Sequence, residues 1–299
     1  MSMSKILVTG GAGFIGSHLV ENLITNDHEV VVLDNLSSGK TEWIPEGAQL
    51  VDGDVRDPAA WVRALHGVDR VAHLAAMARS GPSMNMIDEC QTTNVDGTLL
   101  GLKLSREMGI QKFVYSASST HYGNQFPPQT VDSKPDLLNP YGLSKHVGEL
   151  WAMLFDRAYG LPVLALRYFN VYGPRQPRSG PYGLVIGLFL DALAKGRSLE
   201  IHGDGLQRRD FVHVRDVAEC IRLSLFSDAH GQALNVGTGR NVSILELAAL
   251  ISPDYHFAER RAGDAQETLA DIDLTKRLLG WEPVVDFAEA LEELKVSNV

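Results

Sequence analysis

Short apolar runs rich in β-branched residues alternate along this chain with longer stretches in which apolar positions recur at helical spacing. The runs "KILVTG", "EVVVLD", "AQLVDGD", "RVAHLAA", "KFVYSAS" and "PVLALRYFN" predict strands. Between them "GSHLVENLITN", "AAWVRALHG", "TTNVDGTLLGLKLSREMG" and "YGLSKHVGELWAMLFDRAYG" predict helices. This alternation predicts repeated βαβ units, an α/β fold with a doubly wound parallel sheet covered on both faces. The rhythm breaks after Asn170. From "VYGPRQPRSGPYG" Gly and Pro become dense and the elements shorten, and "FVHVRDVAECIRLSLFS" with "ALNVG" reads as a return to the sheet. Two interleaved lobes are expected, the second a smaller α/β unit.

At 299 residues the chain can bury a large core, and 44% hydrophobic with 21% charged residues argues against disorder. A net charge of −10 would repel phosphate backbones, so no nucleic-acid partner is expected. No apolar run reaches the ~18 to 20 residues that span a bilayer, and the start lacks a secretory pattern, so a cytoplasmic protein without a membrane partner is expected. Cys90 and Cys220 lie in no CxxC or HExxH pattern. They read as buried thiols, and no metal is expected.

In "TGGAGFIGSH" Gly10, Gly13 and Gly16 stand between a predicted strand and a predicted helix. Lacking Cβ atoms, they let the chain turn tightly, admit a diphosphate to the backbone and seat the helix close to the strand. The helix start would offer free N–H groups to phosphate. The same spacing also serves as a plain tight connection. Asp34 ends the next strand about 20 residues on, where a carboxylate can accept hydrogen bonds from an adenosine ribose and repel a 2′-phosphate, which favours NAD over NADP. Its other role is to begin the turn "DNLSSG". In "NPYGLSKHVGE" Tyr141 and Lys145 stand four apart at a helix start and so share a face. A phenol of pKa ~10 is a poor base near neutrality. A neighbouring ammonium and a nicotinamide ring would lower it, a drop of about three units being worth roughly 4 kcal/mol. "YSASSTHYG" follows a strand, which puts its hydroxyls at the carboxyl edge of the sheet. Ser118 is the candidate to hold a substrate hydroxyl beside Tyr141, although such clusters also serve as simple turns.

In these motifs, and in "DGDVRD", "HLAA", "NVDGT", "RYFNVYGPRQ", "GDGLQRRDFVHVRDV", "RRAGD" and "LLGWEP", the chain resembles the extended short-chain dehydrogenase/reductases nearly end to end. The branch it resembles is that of the nucleotide-sugar epimerases and dehydratases. The resemblance implies a Rossmann NAD-binding domain over residues 1–169, joined by 210–237, and a nucleotide-sugar lobe of 170–209 and 238–299. It implies Ser118, Tyr141 and Lys145 as catalytic residues. It places Phe14 and Ile15 with the three glycines, Asn35 and Gly39 with Asp34, and Asp54 and Val55 at the adenine. Leu74, Ala75 and Ala76 would pass the cofactor, with Asn94, Ser116 and Tyr168 as further neighbours. On the substrate side it places Ser119 beside Ser118, and Asn170, Arg209 and Arg261 at the diphosphate. Asp264 falls at the nucleotide ribose, His202 against the base and Thr268 beside the sugar C2. Two guanidinium groups suit a doubly charged diphosphate. Three positions depart from the pattern: His121 replaces an aliphatic residue and reads either as packed core or as a side chain that reaches the sugar, His202 replaces an aromatic, and Gly187 replaces Pro.

Dehydratases of this branch carry an Asp-Glu pair just after the catalytic hydroxyl residue, where this chain has Ser119 and Thr120, which cannot act as carboxylic acids. Asp34 disfavours an NADPH-consuming reductase. The resemblance therefore implies 4-epimerisation of UDP-glucose and UDP-galactose through a 4-keto sugar, with N-acetyl forms admitted because Thr268 leaves room. A nucleotide-sugar 4-ketoreductase, a 4,6-dehydratase and a non-catalytic nucleotide sensor stand as alternatives. The helices around "DGTLLGLKLSREMG" and "YGLSKHVGELWAMLFDRAYG" are apolar over much of their surface; the resemblance implies that they pair with their copies in a homodimer, the alternative being double-sided burial within one chain.

Overall fold

Seven strands form one parallel sheet: β1 (Lys5–Thr9), β2 (Glu29–Asp34), β3 (Ala48–Asp52), β4 (Arg70–His73), β5 (Lys112–Ser118), β6 (Val163–Tyr168) and β7 (Gln232–Val236). Their order across the sheet is β3-β2-β1-β4-β5-β6-β7. The order reverses between β1 and β4, the place where open α/β sheets of Rossmann type bind ligands beyond the strand carboxyl ends. These statements come from a computed structural model that describes residues 3–180, 183–260 and 265–296.

Alternation along each strand divides the core into two layers. Ile6, Val8, Val30, Val32, Leu164 and Leu166 face one side, where α1 (Phe14–Thr25) supplies Leu19, Val20 and Leu23. Leu7, Val31, Leu33, Phe113, Val163 and Ala165 face the other, where α2 (Pro58–Ala64) supplies Trp61, α3 (Gly97–Glu107) Leu102, and α4 (Pro140–Tyr159) Ala152 and Phe155. Each such side chain, once fully buried, contributes roughly 1.5–3 kcal/mol. A separate cluster forms around α5 (Val185–Ala194), with Phe189 and Leu190 packed on Leu199, Ile201, Phe211 and Leu247. Both cysteines are buried and free. Among the described residues no helix is long and apolar enough to cross a membrane.

Four expected elements differ from the reading of the sequence. The run "RVAHLAA" leaves the sheet after His73: the Leu74 N–H still reaches the Thr9 carbonyl (3.1 Å) and shares the Thr9 hydroxyl with the Ala75 N–H, at 3.2 Å each. "PVLALRYFN" ends at Tyr168, and Asn170–Tyr172 pairs instead with Phe211–His213 outside the main sheet. Of the expected return to the sheet, only β7 joins it, while Val214–Phe226 is a helix packed against α1. The helix expected from Thr92 starts as a π-helical segment, Cys90–Asp96. That widening accompanies the inward turn of Asn94, whose amide holds the Met77 backbone at both N–H (2.8 Å) and C=O (3.0 Å).

Candidate functional site

The glycine turn lies at the reversal point of the sheet. Gly10 has φ +70°, and a Cβ there would stand 2.8 Å from the Ala75 nitrogen. A Cβ on Gly16 would meet the Gly10 carbonyl at 2.1 Å, so glycine is required for α1 to start this close to β1. Gly13 caps α1 without a side-chain bond, and the first turn, which includes Phe14 and Ile15, carries no acid. Its orphan N–H groups are thus available to an anion.

The segment after β2 wraps around this turn. Asp34 is buried, its carboxylate accepting the Ala12 N–H (3.0 Å) and the Leu36 N–H (2.8 Å), and burial pushes its pKa up. The carboxylate therefore serves the turn itself, and each oxygen keeps lone-pair capacity for a ribose. Gly39 is pressed against Ala12, where a Cβ would sit 2.8 Å from its backbone. Asn35 donates to Asp54 at 2.9 Å, and Arg56 grips the same carboxylate from Nε (2.8 Å) and Nη2 (2.7 Å), holding the Asp54 pKa down at about 2. The Val55 carbonyl accepts the Trp61 indole N–H at 2.7 Å. On the other flank Leu74, Ala75 and Ala76 follow β4 past Gly10. Sequence reasoning missed what fixes them: the Thr9 hydroxyl lies 2.8 Å from His73 Nδ1, and His73 Nε2 lies 3.0 Å from Thr98. Asn94 also reaches Ser144 at 2.9 Å, and Ser116 pairs with the Tyr168 hydroxyl at 3.0 Å.

The reactive groups come from two elements. β5 delivers Ser118, followed by a single 3-10 turn over Ser119–His121. The Ser118 hydroxyl accepts the Thr120 N–H (3.2 Å) and the Thr120 hydroxyl (2.9 Å). Helix α4 starts sharply because the Asn139 side chain caps the Gly142 N–H at 2.8 Å and Pro140 occupies the first turn. That start brings Tyr141 beside the Ser118 side chain. Lys145, one turn on, is 4% exposed, with its ammonium 4.6 Å from the centre of the Tyr115 ring. Burial lowers its pKa to about 7, against the opposing charge of Glu149.

The charge environment of Tyr141 includes a group that the sequence did not point to. Burial raises its pKa, opposed by the neighbouring Ser118 hydroxyl and by the positive charge of Arg79. Arg79, beyond β4, carried no local signal that could have marked it.

On the substrate side Asn170 donates from Nδ2 to the Asp210 carbonyl and to the Thr268 hydroxyl, 3.0 Å each. Thr268 is buried, and its hydroxyl also accepts the Asp210 N–H at 3.2 Å. It thus positions Asn170 as well as standing where a C2 substituent is expected. Arg209 reaches the Arg208 carbonyl (2.9 Å) and the Gln266 carbonyl (3.3 Å), and lines one cleft with His202, Arg260 and Gln266. His202 is fixed by the Glu259 carbonyl at 2.8 Å. Arg261 and Asp264 lie outside the described residues. Gly187 has a physical reason, since a Cβ there would meet the Pro177 carbonyl at 2.4 Å.

Behind the Ser118 turn lies a polar cluster that the sequence did not announce. His121 is buried, as expected of a packed residue, with Nδ1 3.1 Å from His146 Nδ1 and Nε2 3.3 Å from the Ser133 carbonyl. Burial lowers its pKa to about 4. Beside it Glu149 and Arg167 form a bidentate pair at 2.9 and 2.6 Å, and Arg167 also donates to the Tyr122 hydroxyl (2.8 Å) and the Val131 carbonyl (3.0 Å).

Residues 6–237 match the NAD dependent epimerase/dehydratase family. Solved structures similar to the chain include the UDP-glucose 4-epimerase of Thermotoga maritima with UDP-glucose, at 35% identity and TM-score 0.93, covering 98% of each chain. A second is the UDP-N-acetylglucosamine 4-epimerase of Methanobrevibacter ruminantium in complex with UDP-N-acetylmuramic acid, at 36% identity and TM-score 0.94, covering 100% of each. A third is the UDP-glucose 4-epimerase of Thermus thermophilus complexed with NAD, at 34% identity and TM-score 0.91, covering 98% of each.

Proposed function

The chain belongs to the NAD-dependent epimerase/dehydratase family, and on that premise we propose that it interconverts UDP-glucose and UDP-galactose at C4 and accepts their N-acetyl forms. The observation that carries this reading is that Tyr141 stands beside the Ser118 side chain at the carboxyl edge of the sheet. Residues of this chain fit a dinucleotide: the cradle between Gly10 and Gly16 would be filled by a Cβ, and the uncapped start of α1 offers its N–H groups to phosphate. Asp34 and Asn35 would hold the ribose end and Lys145 the nicotinamide end. When bound, NAD supplies a hydride acceptor and donor for sugar C4.

Tyr141 takes the proton of the sugar 4-hydroxyl and later returns it, while Ser118 holds that oxygen in line. Arg79 contributes positive charge that favours the phenolate. Arg209, with Asn170 and the expected Arg261 and Asp264, anchors the nucleotide so that the sugar can present either face. Ser119 and Thr120 bring no carboxylic acid to this site, which disfavours the dehydratase reading.

A panel of UDP-, dTDP- and GDP-sugars assayed with purified protein tests the proposal. Interconversion of UDP-glucose and UDP-galactose without added reduced cofactor is expected. Stoichiometric consumption of added NADH would instead identify a ketoreductase. Pairing of two chains is part of the same reading, supported by Leu143 and Leu150 standing 51% and 55% exposed on α4. Light scattering of the full chain checks it.

A further inference from the structure

Three side chains that the proposed reaction leaves unused converge behind the Ser118 turn. His121 lies three residues after Ser118, while His146 and Glu149 are one turn apart on α4. A ring nitrogen from each histidine and a carboxylate oxygen from Glu149 all fall within 4.8 Å of one another. The two Nδ1 atoms face each other at 3.1 Å, close to the separation of two imidazole nitrogens bound to one tetrahedral ion at ~2.0–2.1 Å.

The surroundings suit ligation. His121 Nε2 lies 3.3 Å from the Ser133 carbonyl, so its N–H donates there and its Nδ1 presents a lone pair towards His146. A backbone carbonyl on the far nitrogen is the usual support for a metal-bound histidine. Arg167 holds both Glu149 oxygens, at 2.9 and 2.6 Å, orienting the carboxylate and leaving lone pairs unused. His146 is only partly buried, which gives an ion a way in.

We propose that His121, His146 and Glu149 form a binding site for a transition-metal dication of the Zn2+ or Co2+ class, a site separate from the dinucleotide crevice and independent of the reaction proposed above. Two imidazole nitrogens with one carboxylate, whose charge Arg167 offsets, suit a borderline ion. Mg2+ and Ca2+ call for more oxygen ligands than the cluster offers. Binding requires the His146 ring proton to move from Nδ1 to Nε2. The bound ion joins the turn that carries Ser118 to the helix that carries Tyr141 and Lys145.

The test is titration of Co2+ into the full-length protein, followed by its visible absorption and by equilibrium dialysis, with no dependence on activity. One equivalent with the absorption of a tetrahedral site is expected, displaced by Zn2+ and untouched by Mg2+. His146→Gln, at a partly exposed position, weakens binding at least 10- to 100-fold, which even the loss of a supporting contact would cause. A control is set by the exposed group Glu200, His202 and His256, where His202 Nε2 lies 3.0 Å and His256 Nε2 3.8 Å from Glu200. Cobalt binding unchanged by His146→Gln, whether or not His256→Gln removes it, overturns the assignment. So does a wild-type protein that takes up no cobalt.

Discussion

Replacing Lys145 by Met should make the nucleotide-stripped protein more stable while removing its activity. Folding buries this ammonium against Tyr115, and its pKa falls from 10.5 to about 7 even with Glu149 nearby. At 1.36 kcal/mol for each unit, that displacement corresponds to a destabilisation of roughly 5 kcal/mol as a ceiling. Some of the gain is offset by imperfect packing of Met, so an increase of about 2–4 kcal/mol is expected near pH 6. The sign follows from proton counting. Between pH 7 and 10.5 the unfolded chain holds a proton on Lys145 that the folded chain has lost, so wild-type stability rises with pH across that window. The advantage of Lys145→Met is then complete below about pH 7 and vanishes towards about pH 10. Urea denaturation of both proteins at about pH 6 and about pH 10 reads the difference directly. A variant no more stable than wild type at the lower pH, or a gap that fails to narrow, would refute the claim that a buried charge is kept here for chemistry at the expense of stability.

Tyr141→Phe keeps the ring and loses the proton carrier, so turnover should fall by ~10²–10⁴ while bound NAD, measured after denaturing the protein, stays unchanged. Gly16→Ala forces a Cβ onto the Gly10 carbonyl; a loss of about 1–3 kcal/mol in thermal denaturation and a clear drop in NAD content should result. Glu149→Gln strands the buried Arg167 guanidinium and should cost about 3–5 kcal/mol, whereas the double variant Glu149→Gln, Arg167→Met should recover much of that in the same denaturation assay.

The parts of this protein legible in its sequence are those written within a few neighbouring residues. Gly10, Gly13 and Gly16 announce a turn because backbone crowding is local, and Tyr141 with Lys145 announces a shared face because a helix repeats every turn. The continuous apolar run in "EVVVLD" gives β2, and six of the seven sheet strands fall in such runs before Asn170. What stayed hidden depends on contacts between distant segments. Asn94 widens its own helix to reach Met77, and no propensity encodes that. The Lys145 ammonium also lies over the Tyr115 ring from β5, a contact that helical spacing does not announce. Arg79 acts on Tyr141 from a loop more than sixty positions earlier, and His121 meets His146 only once β5 and α4 are packed.

At the centre of this account stands a hydride that leaves sugar C4 and returns to it without meeting solvent, while Tyr141 carries the proton. Epimerisation of UDP-galactose in deuterium oxide, with the product read by NMR or mass spectrometry, tests this most directly. The account predicts UDP-glucose with protium retained at C4. Deuterium at that carbon would contradict it.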